Sequence, residues 1–237
     1  MQTIGLIGGM SWESSALYYR LINQETKRRL GGHHNARSVM VTVDFAEAEN
    51  LMRAGDWEQL AGILVRAARQ AASGGAGILL LCTNTMHKLA ERVAAAVTIP
   101  FLHIADVTAA AILGDGRKRV GLLATRFTME ETFYRDRLRD RFGIEVLIPP
   151  AAARERVHGV IFEELCHGAI LQESREEYRR IIADLAASGA EAVILGCTEI
   201  GLLISAGDSP LPVYDSTELH ARAAVEMALG EARREPA

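Results

Sequence analysis

Cys197 is the residue in this sequence best placed to do chemistry. It stands in Val193-Ile194-Leu195-Gly196-Cys197-Thr198-Glu199, a short apolar run that ends in a thiol, a hydroxyl and a carboxyl. A run of that length bounded by glycine reads as a buried strand of a parallel sheet. Ligands of open α/β sheets bind beyond the carboxyl ends of such strands. About half a chain earlier, Leu81-Cys82-Thr83-Asn84-Thr85-Met86-His87 closes a second apolar run in the same manner. Two such strand ends, one per half, would put a reactive group on each side of a shared cleft. A thiol works through its thiolate, and an ordinary Cys titrates near about 8.5, so a working Cys197 needs a local reason to ionise. A helix starting at about 198–201 would supply backbone N–H groups that favour negative charge. The competing reading is a structural thiol, since free Cys is among the most buried residue types. That reading is the stronger one for Cys166, near a helix end and away from any strand terminus.

Other chemistries fit less well. No C-x-x-C or H-x-x-x-H spacing is present, so three Cys and seven His make a weak zinc signal. Gly5-Leu6-Ile7-Gly8-Gly9 is not the G-x-G-x-x-G of a dinucleotide site. The same turn, with the Ser11 hydroxyl, offers donors to a small anion. His87, four residues after Thr83, either orients a neighbour at the mouth of its strand or caps the helix that follows. Arg53 and Arg126 are candidate carboxylate clamps, with a solvated surface role as the plainer alternative for Arg53.

The elements that must position these residues alternate along the chain. Strands are expected at 4–7, 39–43, 77–81, 101–104, 120–123, 144–148, the run ending at Cys197, and 212–214. Helices are expected from the Ser11 cap to Arg29 and at 56–72, 88–97, 107–113, 129–142, 154–166, 174–188 and 217–232. The stretch 45–55 reads as irregular with a helical turn. Strands separated by helices imply an α/β fold with mostly parallel sheets. Composition breaks near Pro100 and Pro210 divide the chain into one domain of residues 1–98 plus 211–237 and a second of 99–210. With 237 residues, 49% apolar and 24% charged, the chain is an ordinary globular sequence. Its net charge of −4, without a basic block, points away from nucleic acid and anionic membranes. No apolar run is long enough to span a bilayer. The odd number of cysteines and a start directly in a strand lead us to expect a cytoplasmic protein.

The two halves align in two registers. A slide of 115 matches Ala72-Ser73-Gly74 to Ala187-Ser188-Gly189 and Cys82 to Cys197; a slide of 114 matches Gly75-Ala76 to Gly189-Ala190 and Thr83 to Cys197. One residue of shift turns a strand side chain to the opposite face, so Cys82 and Thr83 are rival candidates.

Ile4-Gly5-Leu6-Ile7-Gly8-Gly9-Met10-Ser11-Trp12, Leu81 to Lys88 and Gly196-Cys197-Thr198-Glu199-Ile200 together resemble the aspartate/glutamate racemases, over nearly the whole chain. The resemblance implies two similar parallel-sheet α/β domains with the active site in the cleft between them, and racemisation of an acidic amino acid without pyridoxal phosphate or any other cofactor. In that family two cysteines face the α-carbon from opposite sides, the first in Cys-Asn-Thr-x-His. Anchoring on Asn84-Thr85-Met86-His87 puts Thr83 at the cysteine position, similar to the subgroup specific for L-aspartate and L-glutamate. Cys197 would then abstract the α-proton and Thr83 return one, with slow reverse turnover. The resemblance further assigns Met10, Ser11, Asn84, Thr85, Thr125 and Thr198 to the substrate's carboxylate and ammonium. Glu199, where related glutamate racemases carry His, would orient Cys197 or meet the ammonium. The basic pair that binds the side-chain carboxylate in aspartate-specific relatives has no clean match; its second member falls near Cys166.

The expected protein is an isomerase and a homodimer, with a small-molecule amino-acid substrate and neither nucleic acid nor membrane as a partner. A hydantoin racemase or a decarboxylase of malonate-like acids shares the same strand-end cysteines. A protein that binds a small carboxylate without catalysis is the alternative from another class.

Overall fold

The computed structural model describes residues 1–230. β1 (Ile4–Gly8) is buried along its whole length because it is the middle strand of a parallel sheet, between β2 (Ser38–Thr42) and β3 (Ile78–Leu81). A strand covered on both faces has no polar side to present, hence its apolar run. α1 (Trp12–Leu30) follows β1, and the Ser11 hydroxyl caps it by accepting the Ser14 N–H. After β2 come α2 (Phe45–Ala54) and α3 (Trp57–Ser73). The stretch at 45–55 is thus a regular helix and not an irregular segment. Asp44 caps it, Gly55 closes it in the left-handed conformation, and Ala48 and Met52, one turn apart, are its buried residues. So narrow an apolar stripe is hard to see among charges.

Past β3, a 3-10 turn (Thr85–Leu89) precedes α4 (Ala90–Ala95), which is shorter than the expected 88–97 helix. The expected strand at 101–104 shrinks to one residue, Phe101, bridged to Leu79. Ile104 already begins α5 (Ile104–Gly114), so the chain leaves the ladder at once.

The second sheet, of β4 (Arg119–Leu123), β5 (Glu145–Leu147), β6 (Ala192–Leu195) and β7 (Val213–Asp215), is also wholly parallel, in the order β5-β4-β6-β7. After β4 (Arg119–Leu123) come α6 (Arg126–Glu130) and α7 (Thr132–Phe142), then β5 (Glu145–Leu147), α8 (Ala151–Gly159) and α9 (Gln172–Ala187). β6 (Ala192–Leu195), α10 (Ile200–Leu203), β7 (Val213–Asp215) and α11 (Ser216–Leu229) complete the order. Two expected helices are interrupted. Extended Glu131 (φ −73°, ψ 157°) splits 129–142. Past Gly159, a weak helix former, α8 loosens into a π turn (Val160–Glu164) and a 3-10 turn (Leu165–His167) that Gly168 ends. The last two residues of the expected 217–232 helix lie outside the described residues. Among the described residues no helix is long and apolar enough to cross a membrane.

Contacts divide the chain into two units, Met1–His103 with the chain from His220 onward, and Ile104–Leu219. β7 pairs with β6, so the chain leaves the second unit only within α11.

In the first unit, Ile4, Leu6, Ile78, Leu80 and Cys82 pack with Tyr18 and Ile22 of α1 and Ala221, Ala224 and Val225 of α11. One polar pair is sealed into this unit. The Tyr18 hydroxyl donates to His220 Nδ1 (2.8 Å), and His220 Nε2 donates to the Leu102 carbonyl (3.0 Å), which can only accept. Burial lowers the His220 pKa from 6.5 to about 4, so the ring is neutral in the fold. The unfolded chain binds the extra proton between those values. The neutral ring's contribution is therefore intact above the unfolded pKa and is lost as pH falls towards about 4, by up to about 3 kcal/mol. Thermal unfolding from about pH 7 down to 4.5 should show this loss, and His220→Gln should show less of it.

Candidate active site

The two units repeat one arrangement at an offset of 114 residues. β3 and β6 begin and end 114 positions apart. Ahead of each lies a left-handed glycine, Gly75 (φ +92°) and Gly189 (φ +93°), where a side chain would be strained. At the other end the Cys82 N–H donates to the Ile7 carbonyl (2.9 Å), as the Gly196 N–H donates to that of Leu123 (2.7 Å). Gly196 is thus the backbone counterpart of Cys82, and Cys197 is the counterpart of Thr83. The backbone does not follow the 115 register, which would pair the two cysteines.

Packing explains the glycine. A Cβ at position 196 would lie 2.8 Å from Leu122 Cδ1 and 3.1 Å from Ala124 Cβ, so a side chain here would have to displace its neighbours. In the first unit the same position holds Cys82, wholly buried in a row with Ile78 and Leu80. Burial pushes its thiol well above the usual range. Thr83, one residue further, keeps 8% of its surface. Its carbonyl accepts His87 Nδ1–H at 2.7 Å, so His87 orients the backbone of the residue it follows by four.

The turn after β1 is tied to the same place. Ser14 Oγ donates to the Cys82 carbonyl (2.8 Å), the Gly9 N–H donates to Ser15 Oγ (2.8 Å), and Ser15 Oγ donates to the Ser11 carbonyl (2.9 Å). Met10 and Ser11 are buried in this turn, as are Asn84 and Thr85 at the start of the 3-10 turn. The repeat extends here too. Ser11 accepts the Ser14 N–H (3.2 Å), and 114 residues on Thr125 accepts the Thr128 N–H (3.4 Å), capping α6.

In the second unit Cys197 keeps 9% of its surface and Glu199 keeps 5%. Cys197 Sγ donates to Glu199 Oε2 at 3.0 Å, and Thr198 Oγ1 donates to the same oxygen at 2.5 Å. The helix expected to start at about 198–201 starts at Ile200, but it runs for only four residues. It does not make the sulfur acidic. Burial first, and then the Glu199 charge, push the Cys197 thiol well above its ordinary value, and a backbone N–H of Glu199 opposes them weakly. In the free protein Cys197 is a thiol.

The candidate clamps are surface groups. Arg53 pairs with Glu49 one turn away, and Arg126 pairs with Glu155. Cys166 packs against the apolar cluster that includes Cys197. Three residues that contact this region have no sequence signal. Ser14 is an ordinary helix serine by type, and His103 and His220 reach the His87 ring (4.6 Å and 5.9 Å between centroids) only through the fold.

A profile of the Asp/Glu/Hydantoin racemase family matches residues 7–224. The chain belongs to this family. It is an enzyme, and the racemases of the family are isomerases. A candidate Asp/Glu racemase from Yersinia pestis is 50% identical, with 97% of this chain and all of that one covered, at a TM-score of 0.91. An aspartate racemase homologue from Pyrococcus horikoshii is 34% identical over 97% of this chain and all of its own, at 0.83. Aspartate racemase from Picrophilus torridus shares the fold at 23% identity, covering 96% and 94%, at 0.76.

Proposed function

We propose that the chain racemises an acidic amino acid, L-aspartate or L-glutamate, without pyridoxal phosphate. Cys197 removes the α-proton, and Thr83 returns one to the opposite face. The observation that carries this reading is the offset of 114. It makes Thr83 and Cys197 equivalent residues at the ends of equivalent strands, while Cys82 is packed into the core. The names of the 50% and 34% identical relatives agree on the substrate class.

An α-proton beside a carboxylate is weakly acidic, so charge that develops on the substrate must be met by fixed donors. Met10 and Ser11 of the first turn, with Asn84, Thr85, Thr125 and Thr198, fill that role on this reading. Glu199 either orients Cys197 or meets the ammonium group.

The test is an NMR assay in D2O with L-aspartate and L-glutamate separately, followed by chiral analysis, with no cofactor added. Loss of the α-proton signal with appearance of D-product is expected for one of the two acids. No exchange with either would overturn the proposal. Cys82→Ser separates the rival residues. It should racemise as the parent does, while losing about 1–3 kcal/mol of stability for a hydroxyl among apolar neighbours. A folded Cys82→Ser protein without activity would remove Thr83 from the mechanism.

A further inference from the structure

If Cys197 is the α-proton base, its contact with Glu199 poses a problem of charge. The thiol proton points at a carboxylate oxygen 3.0 Å away, in a site almost closed to water. Losing that proton to solvent would leave two negative charges a hydrogen bond apart, and like charges so placed do not both ionise readily. The groups that interact with the sulfur besides Glu199 are Cys166 from the Leu165–His167 turn and Tyr178 from α9, and neither is a cation. Arg156 acts on Tyr178, and Asp215 of β7 lies against Gly201 of α10.

We propose that Cys197 and Glu199 hold a single proton between them, and that Glu199 is the group that takes it from sulfur when the thiolate forms. The inference rests on the function proposed above and gives Glu199 the positioning role of its two alternatives. In the free protein the proton sits on sulfur, with the Thr198 hydroxyl bonded to the same carboxylate oxygen. Moving the proton to Glu199 breaks S–H, forms O–H and leaves one negative charge, now on sulfur. A substrate ammonium beside the sulfur would favour that shift. The thiolate then takes the α-proton: Cα–H breaks, S–H forms again, and the electron pair stays on the substrate. Thr83 gives its hydroxyl proton to the opposite face. Solvent takes the proton from Glu199 and restores the one on Thr83.

The test measures the thiol without needing substrate. Iodoacetamide alkylation of Cys197, read by mass spectrometry of its peptide, is followed against pH in the parent and in Glu199→Gln. Removing the carboxylate charge should make Cys197 easier to ionise. Its midpoint should fall by about one pH unit, so alkylation near pH 8 should rise about tenfold. Racemisation should move the other way, with kcat reduced at least about tenfold and KM changed by less than about threefold. An unchanged alkylation profile with a raised KM would assign Glu199 to the ammonium and overturn the proposal. Glu199→Asp, which keeps an acid with a shorter reach, should fall between parent and Gln in both readouts. If neither variant folds, the parent decides: a Cys197 midpoint at or below about 8.5 overturns the shared proton. A parent that does not racemise, with Cys197 that still responds to Glu199→Gln, would fail the proposed function and leave the shared proton standing.

Discussion

Cys197→Ala is expected to reduce α-proton exchange of the L-substrate by about a thousandfold or more, the upper range for loss of a general base. The expectation follows from the absence of a ready substitute on that side of the reaction. Glu199 accepts the thiol's own hydrogen bond and Thr198 is a hydroxyl engaged with the same carboxylate, so neither is a ready base in place of the sulfur. The side chain lost is small, so the cost in stability should be about 1 kcal/mol and a thermal melt should confirm a folded protein. Cys197→Ser should fail nearly as badly. It preserves the volume and the hydrogen bond but exchanges a thiol for a hydroxyl, which does not ionise at neutral pH. NMR exchange in D2O reads both variants. Exchange within tenfold of the parent in either one would mean that Cys197 is a structural thiol after all.

How much of this fold and site a sequence carries depends on what each signal encodes. β1, β3 and β6 are apolar runs with glycine at or beside their ends, and the Ser11 cap is a side chain acting on its own neighbours. Such local signals survive in sequence. The choice between Cys82 and Thr83 is not given by periodicity, because it turns on a single residue of register; only the resemblance anchored on Asn84 to His87 selects Thr83. The tripeptide Ala-Ser-Gly, present in both halves, favours the wrong slide. In the fold Gly74 ends α3 as Ser188 ends α9, and the left-handed residue is the next one in each case, Gly75 and Gly189. Identity of letters concealed a shift in conformational role. The electrostatics of Cys197 are hidden for another reason. A helix does start within 198–201, at Ile200, but the carboxylate that dominates the site is that of Glu199, whose side-chain direction no periodicity gives. The bonds from Ser14 to Cys82 and from Tyr18 to His220 join residues 68 and 202 positions apart. Only tertiary structure creates such pairs.

Thr83→Cys is expected to speed formation of D-product by about a hundredfold, the lower range for adding a competent acid–base group. An aliphatic hydroxyl is a far weaker acid than a thiol, so on the proposed mechanism the step at Thr83 limits conversion in the parent. On that mechanism Cys197 removes the α-proton, exchanges it and returns a deuteron to the same face. L-substrate should therefore lose its α-proton signal much faster than D-product appears. By microscopic reversibility the same slow step limits attack on the D-enantiomer. Since the two enantiomers are equal in free energy, kcat/KM must be equal for the two directions; any asymmetry between them is confined to kcat and KM separately. This constrains the variant as well. Thr83→Cys must raise kcat/KM for both enantiomers by one common factor, and the ratio of exchange to conversion should fall towards unity as the second step catches up with the first. The backbone favours the substitution, because the counterpart of Thr83 already carries a cysteine in the other unit. Exchange by NMR and conversion by chiral analysis, taken from the same samples, give the ratio directly. A parent in which exchange and conversion already run together, or a folded Thr83→Cys protein in which conversion does not accelerate, would show that the hydroxyl of Thr83 is not the limiting proton donor.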